Sequence, residues 1–260
     1  MNIYSIKNLS FSYNSERQIF KNANLLIEEG KLYSLLGKNG AGKSTLFSLL
    51  LNIRNDYSGQ ILFMDEEIKN ISRKRLAKNI GFVPQIPKLS FDYTAKEYVA
   101  MGLLAETSLF TELNKRHYEL VEEAFLKLEI EDLMEKSFFD LSGGEKQLVV
   151  IARSIVSNPR VILFDEPTAH LDIANQYKVL KIIKNLNSLG YTIIVSTHDP
   201  NQVTLLNKNV IILNGNGKIE SGKTEDIINE ENLKKIYSSD MIVENVKKYD
   251  RKICFFKNIS

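Results

Sequence analysis

Gly37-Lys38-Asn39-Gly40-Ala41-Gly42-Lys43-Ser44-Thr45 is the stretch of sequence that decides the fold. It follows an apolar segment, residues 32–36, and leads into residues 45–51, whose apolar spacing predicts a helix. Glycines let a backbone approach a polyphosphate closely, and the free N–H groups at the start of a helix attract an anion. Lys43 would supply a positive charge for the outer phosphates, and the Ser44 hydroxyl would be a ligand for Mg²⁺. The alternative, an ordinary glycine-rich turn, is disfavoured by the strand before the loop and the helix after it.

The composition is that of an ordinary globular chain. Its 260 residues are 43% hydrophobic and 25% charged, which is enough for one large domain with a subdomain. The net charge is only +2, so charge gives no general reason to expect a nucleic-acid partner. The short basic clusters at residues 73–75 and 247–248 are interpreted as solvated surface.

Cysteine content and hydropathy restrict the setting in which the chain works. Cys254 is the single cysteine, which excludes an internal disulfide and suits a reducing compartment. Its apolar neighbours indicate a small buried side chain and not a nucleophile. Residues 1–9 read as a strand and not as a secretory signal, and we expect no membrane-spanning segment. Work at a membrane would therefore require docking on another protein.

Residues 1–35 have the alternating apolar pattern of β-strands, with segments at 3–9, 18–26 and 32–36. Tyr13 lies between the first two segments. An aromatic ring at this place is able to stack on a purine, although packing within the strands is the simpler interpretation. The choice between the two depends on the motifs that follow.

Gln85 lies between Pro84 and Pro87, which exclude regular structure and place the glutamine on a loop. Its amide oxygen is a candidate metal ligand, although most polar loop residues have no such role. The stretch that follows has helical spacing, with a cap residue at Thr94 and an apolar stripe between residues 117 and 128. We therefore expect a helical insert over about residues 94–141.

Ser142 and Glu145 form a capping-box pattern at the start of a predicted helix that runs to about Ser157. A cap explains the serine and the glutamate but not Gly143 and Gly144, which lower helix propensity by about 1 kcal/mol each relative to alanine. We expect the two glycines to expose backbone N–H groups to an anion at the helix N-terminus.

Two further apolar segments end in side chains suited to catalysis. Residues 160–164 precede Asp165 and Glu166, and residues 191–197 precede His198. A continuous apolar run is typical of a parallel strand covered on both faces, and ligands bind at the carboxyl ends of such strands. There Asp165 would hold Mg²⁺, and Glu166 would orient or deprotonate a water molecule. A polar turn for the carboxylates and a structural histidine remain the alternatives from these segments alone.

The last part of the chain predicts small structural elements. Residues 210–213 and 218–220 flank a turn and form a hairpin, and residues 224–237 form one capped helix. Residues 241–260 alternate apolar and polar side chains, which suggests a short strand pair as a C-terminal extension. No function is evident there.

Taken together, these stretches resemble the nucleotide-binding subunit of ATP-binding cassette (ABC) transporters over about residues 1–240, with the family's motifs in order. The matching positions are Tyr13 for the adenine-stacking aromatic, residues 37–45 for the Walker A loop, Gln85 for the Q-loop, residues 141–145 for the LSGGE signature, Asp165 and Glu166 for Walker B and the catalytic glutamate, residues 169–172 for the D-loop, and His198 for the switch histidine. Lys38 departs from the usual proline or serine, and we expect no loss of activity from it.

The resemblance implies an α/β fold, a P-loop NTPase (RecA-like) core with an N-terminal antiparallel β subdomain and an ABC-specific helical subdomain over about residues 86–157. It implies an ATPase with ATP and Mg²⁺ as cofactors. Residues implied for the nucleotide are Tyr13, Gly37, Asn39, Gly40, Ala41, Gly42, Lys43, Ser44, Thr45, Ser142, Gly143, Gly144 and Asp172; those for the metal are Ser44, Gln85 and Asp165; those for catalysis are Glu166, His198 and Gln85.

The resemblance also implies the partners. Two copies pair head to tail, and each ATP is held between the Walker A loop of one copy and the signature residues of the other. Hydrolysis of the γ-phosphate reopens the pair and drives an integral membrane permease, which docks on Gln85 and the helical insert. The subunit would then lie at the cytoplasmic face of the cell membrane, with a substrate-binding lipoprotein as an indirect partner. Residues 98–102, 147–153 and 170–176 look like those of importers for iron–siderophore, haem and cobalamin.

Two alternatives remain open at this stage. The first is a soluble ABC ATPase that remodels cytosolic partners, as in iron–sulfur cluster assembly. The second is a nucleotide-binding subunit without activity, which the presence of both Glu166 and His198 disfavours. A DNA-repair cassette is disfavoured because no coiled-coil heptads interrupt the chain.

Overall fold

The computed structural model describes residues 1–14, 18–84, 91–104 and 114–256. Gln85 therefore lies outside the described residues. The chain divides into a first unit, Met1–Ile71 with Ile194–Ser260, and a second unit, Ser72–Ile193. The predicted helical insert, about residues 86–157, falls within the second unit.

An antiparallel sheet begins the first unit. The elements are β1 (Asn2–Ser12), β2 (Gln18–Glu28), β3 (Leu32–Leu36), α1 (Lys43–Leu50), β4 (Ser58–Phe63) and β5 (Glu66–Glu67), followed by a 3₁₀ turn, Ile68–Asn70. The strand order is β2-β1-β4-β5, with every pair antiparallel. From Ala23 to Ile27 every second side chain of β2 is buried, as expected for a sheet that is covered on one face.

Helices make up most of the second unit. Its elements are α2 (Arg73–Asn79), β6 (Ile80–Val83), α3 (Ala95–Ala100), α4 (Lys115–Leu128), α5 (Gly143–Ile155), β7 (Val161–Phe164) and α6 (Ile173–Ser188), with 3₁₀ turns at Met101–Leu103, Glu131–Leu133 and Phe138–Asp140. Strands β6 and β7 pair in parallel, and all four residues of β7 are buried. The uninterrupted apolar run of β7 follows from this burial on both faces.

Capping residues fix where the helices of this unit begin. Thr94 and Glu97 form a capping box at α3, so the predicted cap is confirmed. Asn114 and His117 form a second one at α4, in which the Asn114 N–H donates to His117 Nδ1 at 3.1 Å. His117 thus has a defined helix-capping role.

The chain re-enters the first unit at Ile194, within the first strand of its last group of elements. Its elements are β8 (Thr192–Thr197), α7 (Pro200–Leu206), β9 (Asn209–Leu213), β10 (Ile219–Lys223), α8 (Thr224–Ile227), α9 (Glu230–Tyr237), β11 (Met241–Val246), a 3₁₀ turn (Lys247–Tyr249) and β12 (Arg251–Phe256). The strand order in this part is β10-β9-β3-β8. Strand β9 is parallel to β3 and antiparallel to β10. Every residue of β3 and β8 is buried.

The predicted single helix over residues 224–237 is wrong, because the structure has two helices there. The helix α8 ends at Ile227, and Asn229 caps α9 by accepting a hydrogen bond from the Asn232 N–H at 2.9 Å. An asparagine cap followed by two acidic residues, Glu230 and Glu231, is a helix start that the sequence contained. The alternating segment after α9 forms the antiparallel hairpin β11–β12.

One apolar cluster ties the C-terminal elements to the strand that precedes the glycine loop. Its buried members are Leu36 in β3, Val203 in α7, Val210 and Ile212 in β9, Ile228, Leu233 and Ile236 around α9, Met241 in β11 and Cys254 in β12. Tyr237 and Val243 are partly buried against it. The C-terminal hairpin is therefore packed on the same core as the end of β3.

Candidate functional site

The glycine loop, residues 37–42, connects β3 to α1. The Gly37 N–H donates to the Thr197 carbonyl at 3.3 Å, and the Ala41 N–H donates to the Lys38 carbonyl at 3.1 Å. Gly42 is the N-cap of α1 and has a φ of 106°. A Cβ atom at this position would lie 2.6 Å from Cγ2 of Ile19. Only glycine adopts this conformation and fits this space without strain.

Lys43 is the first residue of α1 and is almost entirely buried. Its Nζ atom donates to the Gly37 carbonyl at 2.7 Å and to the Lys38 carbonyl at 3.3 Å. The ammonium group is thus folded back over the glycine loop. A phosphate bound within the loop would meet this positive charge at short range.

The remaining loop residues divide into exposed and buried positions. Asn39, Gly40 and Ser44 are exposed, whereas Ala41 and Thr45 are buried. The helix begins with a hydrogen bond from the Leu46 N–H to the Gly42 carbonyl at 2.8 Å. In any α-helix the N–H groups of the first turn point away from the helix and have no acceptor inside it, and this property suits the N-terminal end to an anion.

Tyr13 contacts the helix that follows the loop. Its hydroxyl oxygen lies 3.0 Å from Thr45 Oγ1, and about half of its surface is exposed. The guanidinium of Arg54 lies 4.8 Å from the centre of the Tyr13 ring, and the Phe11 and Tyr13 rings form a T-shaped pair with their centres 5.1 Å apart. Tyr13 is therefore a partly exposed aromatic beside α1 and not a core residue. Nothing in the local sequence indicates that Arg54 stacks on this ring.

His198 follows β8 directly and is exposed. Its carbonyl oxygen accepts a hydrogen bond from the Tyr237 hydroxyl at 2.6 Å. The next residue, Asp199, caps α7 by accepting from the Asn201 N–H at 2.8 Å. Thr197, the residue before His198, accepts a hydrogen bond from the Gly37 N–H of the glycine loop through its carbonyl oxygen. The first unit therefore brings the histidine segment and the glycine loop together through the backbone.

Asp165 and Glu166 lie in the second unit, directly after β7, and both are half-buried. The Asp165 N–H donates to the Val83 carbonyl at 2.9 Å, which holds the end of β7 against the end of β6. Glu166 has a φ of 47°, the left-handed region that a side chain with a Cβ rarely adopts. Such strain is common where a side chain is held for function.

Ser142 caps α5 in a complete capping box. The Glu145 N–H donates to Ser142 Oγ at 3.3 Å, and the Ser142 N–H donates to Glu145 Oε2 at 2.8 Å. The Ser142 hydroxyl and N–H, with Lys136 nearby, lower the pKa of Glu145. Ser142 and Gly143 are exposed, so this helix tip faces solvent.

Packing gives a structural reason for Gly144. A Cβ atom there would lie 2.5 Å from Oδ1 of Asn175, whereas one at Gly143 would meet only Leu171, at 3.9 Å. Asn175 is itself fixed, because its N–H and its amide donate to Asp172 at 2.9 and 2.6 Å. The close approach of α5 to α6 therefore requires a glycine at position 144. For Gly143 packing gives no such reason, so the predicted role in anion binding has no competing explanation there.

Asp172 is exposed and forms the N-cap of α6. Its bonds to Asn175 lower the pKa of its carboxyl group. The structure thus gives Asp172 a helix-capping role, and its predicted contact with nucleotide stays a prediction.

The predicted site residues fall into two groups. The first unit holds Tyr13, residues 37–45 and His198, and the second holds Asp165, Glu166, the residues 142–144 and Asp172. Among the described residues, no group of three or more His, Cys, Asp or Glu side chains is placed to hold a metal ion. In the same described ranges no helix combines the length and apolar character needed to cross a bilayer.

Comparison with known proteins identifies the family. The model of the ABC transporter family matches residues 20–169 of the chain. The molybdate import ATP-binding protein MolC of Haemophilus influenzae is 34% identical, over 94% of this chain and 91% of its own length. The hemin import ATP-binding protein HmuV of Shewanella denitrificans is 34% identical, over 86% of this chain and 89% of its own length.

Solved structures agree in fold. An inward-facing putative metal-chelate type ABC transporter superposes with a TM-score of 0.87 at 32% identity, covering 100% of this chain and 98% of its own. The dimeric structure of the bacterial ABC transporter cassette MJ0796 superposes with a TM-score of 0.72 at 29% identity, over 85% and 98% of the two chains. The predicted α/β P-loop fold, with its antiparallel β subdomain and helical elements, is confirmed. The chain therefore belongs to the ABC transporter family and is an ATP-binding subunit that hydrolyses ATP to drive transport.

Proposed function

We propose that this chain energises an importer, with ATP bound in the glycine loop and hydrolysed through Glu166. The observation that carries the proposal is the loop itself: a left-handed Gly42 that excludes any side chain and a buried Lys43 folded over the loop carbonyls. This arrangement suits a polyphosphate and has little other purpose.

The roles of the remaining residues follow from their chemistry. Tyr13, with about half of its surface exposed, is the aromatic side chain for adenine, and Thr45 beside it lies in the first turn of α1. Ser44, Asp165 and Gln85 carry the oxygen ligands that Mg²⁺ prefers, and Mg²⁺ would neutralise charge on the phosphates. Glu166 orients or deprotonates the attacking water, and His198 contacts the γ-phosphate.

A second copy of the chain completes the site. The hydroxyl of Ser142 and the backbone of Gly143 lie at the exposed tip of α5, where a γ-phosphate held by another copy can accept hydrogen bonds from them. The dimeric cassette among the solved relatives supports this pairing. Asp172 at the start of α6 would lie at the same interface.

The membrane partner is an integral permease, and the subunit is peripheral at its cytoplasmic side. The import ATP-binding proteins among the relatives support such a partner. Gln85 and the helical insert would form the interface with the permease, and a substrate-binding lipoprotein would be the indirect partner.

The cargo is an iron chelate of the siderophore, haem or cobalamin class. The hemin importer and the metal-chelate type transporter support this choice, whereas the molybdate importer, which is 34% identical like the hemin importer, supports molybdate as the cargo. Uptake of radiolabelled iron chelate and of molybdate by cells with and without this chain separates the two. Loss of molybdate uptake alone would overturn the iron assignment. Co-purification of soluble scaffold proteins in place of a permease would overturn transport.

The experiment for the chemistry is Glu166→Gln in the full-length chain. We expect ATP binding to persist, hydrolysis to fall below detection and ATP to trap a dimer, because the base is lost while the phosphate contacts remain. Glu123→Gln, an exposed substitution on α4, is the matched control. Wild-type turnover by the Glu166→Gln variant would contradict the assigned role.

A further inference from the structure

The C-terminal elements are bonded to the segment that carries His198. The Tyr237 hydroxyl, at the end of α9, donates to the His198 carbonyl at 2.6 Å. The Tyr237 ring is partly buried against the apolar cluster that also contains Leu36 and Cys254. Burial, with Asp199 and Cys254 nearby, raises the pKa of Tyr237, so its hydroxyl stays protonated and able to donate at physiological pH.

A second set of bonds joins β12 to α7. The Asn201 amide donates through Nδ2 to the Cys254 carbonyl and accepts through Oδ1 from the Cys254 N–H, both at 2.9 Å. Arg251 Nη2 also donates to the Asn201 carbonyl at 3.4 Å. Asn201 lies three residues after His198, in the first turn of α7. The β11–β12 hairpin is therefore bonded to α7, the helix that begins two residues after His198.

The other side of His198 is fixed by the glycine loop. The Thr197 carbonyl accepts from the Gly37 N–H at 3.3 Å. Thr197 Oγ1 accepts from the Asp199 N–H at 3.1 Å and donates to Gln202 Oε1 at 2.9 Å. The backbone is thus bonded before, at and after His198, while the imidazole itself is exposed.

We propose that Tyr237 and Asn201 are positioning residues for His198, and that α9 and the β11–β12 hairpin form the frame that sets the direction of its imidazole. This inference rests on the proposed function, in which His198 contacts the γ-phosphate. The hydroxyl of Tyr237 distinguishes positioning from packing, because a phenylalanine ring would fill the same place in the cluster.

The test is Tyr237→Phe in the full-length chain, with steady-state hydrolysis of ATP in the presence of Mg²⁺. One lost hydrogen bond to the histidine carbonyl should lower kcat by about 3- to 10-fold while KM changes by less than about twofold. Asn201→Ala should act in the same direction. Tyr249→Phe, on the exposed turn of the same hairpin, should keep the wild-type rate. Equal kcat for Tyr237→Phe and Tyr249→Phe would overturn the inference.

A double variant tests whether the effect passes through the histidine. Tyr237→Phe should cause no further loss of kcat in a His198→Ala background, because the residue that it positions is gone. A full additional loss there would show that Tyr237 acts elsewhere and would overturn the inference.

A spectroscopic measurement keeps this result separate from the proposed function. If wild-type chain hydrolyses no ATP, or if His198→Ala keeps the wild-type rate, the proposed function fails on its own. The chain has three histidines, so the His198 ring resonance can be assigned in NMR spectra with His198→Ala. That resonance should move in Tyr237→Phe and Asn201→Ala and stay in place in Tyr249→Phe. An unmoved resonance in the first two variants would refute positioning whatever the activity.

Discussion

Gly42→Ala is the substitution that tests the conformation of the glycine loop most sharply. Gly42 has a φ of 106°, which an L-residue reaches only with strain, and the added Cβ would lie 2.6 Å from Ile19 Cγ2. The matched control is Gly190→Ala in the second unit. Gly190 has a φ of 98°, and a Cβ there would meet no atom within 4 Å. The two variants therefore share the backbone strain, and only Gly42→Ala adds the collision.

The size of the effect follows from these two terms. A side chain in a sparsely populated backbone region costs about 1–3 kcal/mol. Overpacking against Ile19 adds about 1–3 kcal/mol. If the loop relieves the sum of about 2–6 kcal/mol by leaving its conformation, the Kd for ATP rises by at least about 30-fold. Gly190→Ala should lose only about 1–3 kcal/mol of unfolding free energy and bind ATP normally.

Isothermal titration with ATP and denaturant unfolding, applied to both variants and the wild type, measure these quantities. Gly42→Ala should lose ATP affinity far beyond Gly190→Ala. Wild-type affinity for ATP in Gly42→Ala, with no more destabilisation than the control shows, would mean that the loop does not have this conformation. The assignment of the glycine loop as the phosphate site would then fail.

Four further outcomes are expected. Tyr13→Ala should weaken ATP binding about fivefold, because one aromatic stack contributes about 1 kcal/mol, and unchanged affinity by titration would exclude stacking. Ser142→Ala removes the N-cap of α5 and should lower the unfolding free energy by about 1 kcal/mol. A Tm equal to that of the wild type in thermal unfolding would contradict the capping box. The lowered pKa of Glu145 stabilises the fold above pH 4.5, and that stability is lost as the pH falls through the pKa that Glu145 has in the folded chain. Glu145→Gln should therefore reduce the loss of unfolding free energy at acid pH, and an unchanged dependence of unfolding free energy on pH would contradict this role of Glu145. Burial raises the pKa of Cys254 to about 11, so alkylation at about pH 8 should be at least ~100-fold slower in the folded chain than in the unfolded one, and equal rates would refute burial.

Local patterns in the sequence predicted the parts of the fold that local physics determines. The alternation of β1 and β2, the apolar runs of β3, β7 and β8, and the capping pairs at Thr94 and Ser142 each depend on neighbouring residues. The predicted burial of Cys254 is confirmed in the same way, since its apolar neighbours in β12 indicated it. The break between α8 and α9 was missed although Asn229 carries a recognisable cap signal.

Contacts between distant positions could not be predicted from the same patterns. Arg54 stacks on a ring 41 residues earlier in the chain, and Tyr237 bonds to a carbonyl 39 residues before it. Neither depends on periodicity or on a cap, so only the folded structure brings these partners together. Gly144 is a related case: the sequence predicted anion binding, and the structure adds close packing against Asn175. The roles of Asp165, Glu166 and Asp172 stay predictions, as does that of Gln85, which lies outside the described residues.

A mixing experiment tests most directly whether two copies share each ATP. Lys43→Ala removes the charge over the glycine loop, and Ser142→Arg blocks the exposed tip of α5, so each variant alone should hydrolyse no ATP. A mixed dimer restores one intact pair, the loop of the Ser142→Arg copy with the helix tip of the Lys43→Ala copy. The mixture should therefore regain hydrolysis, up to about one quarter of the wild-type rate for random pairing. A mixture that stays at the sum of its two inactive parents would contradict a site built from two chains.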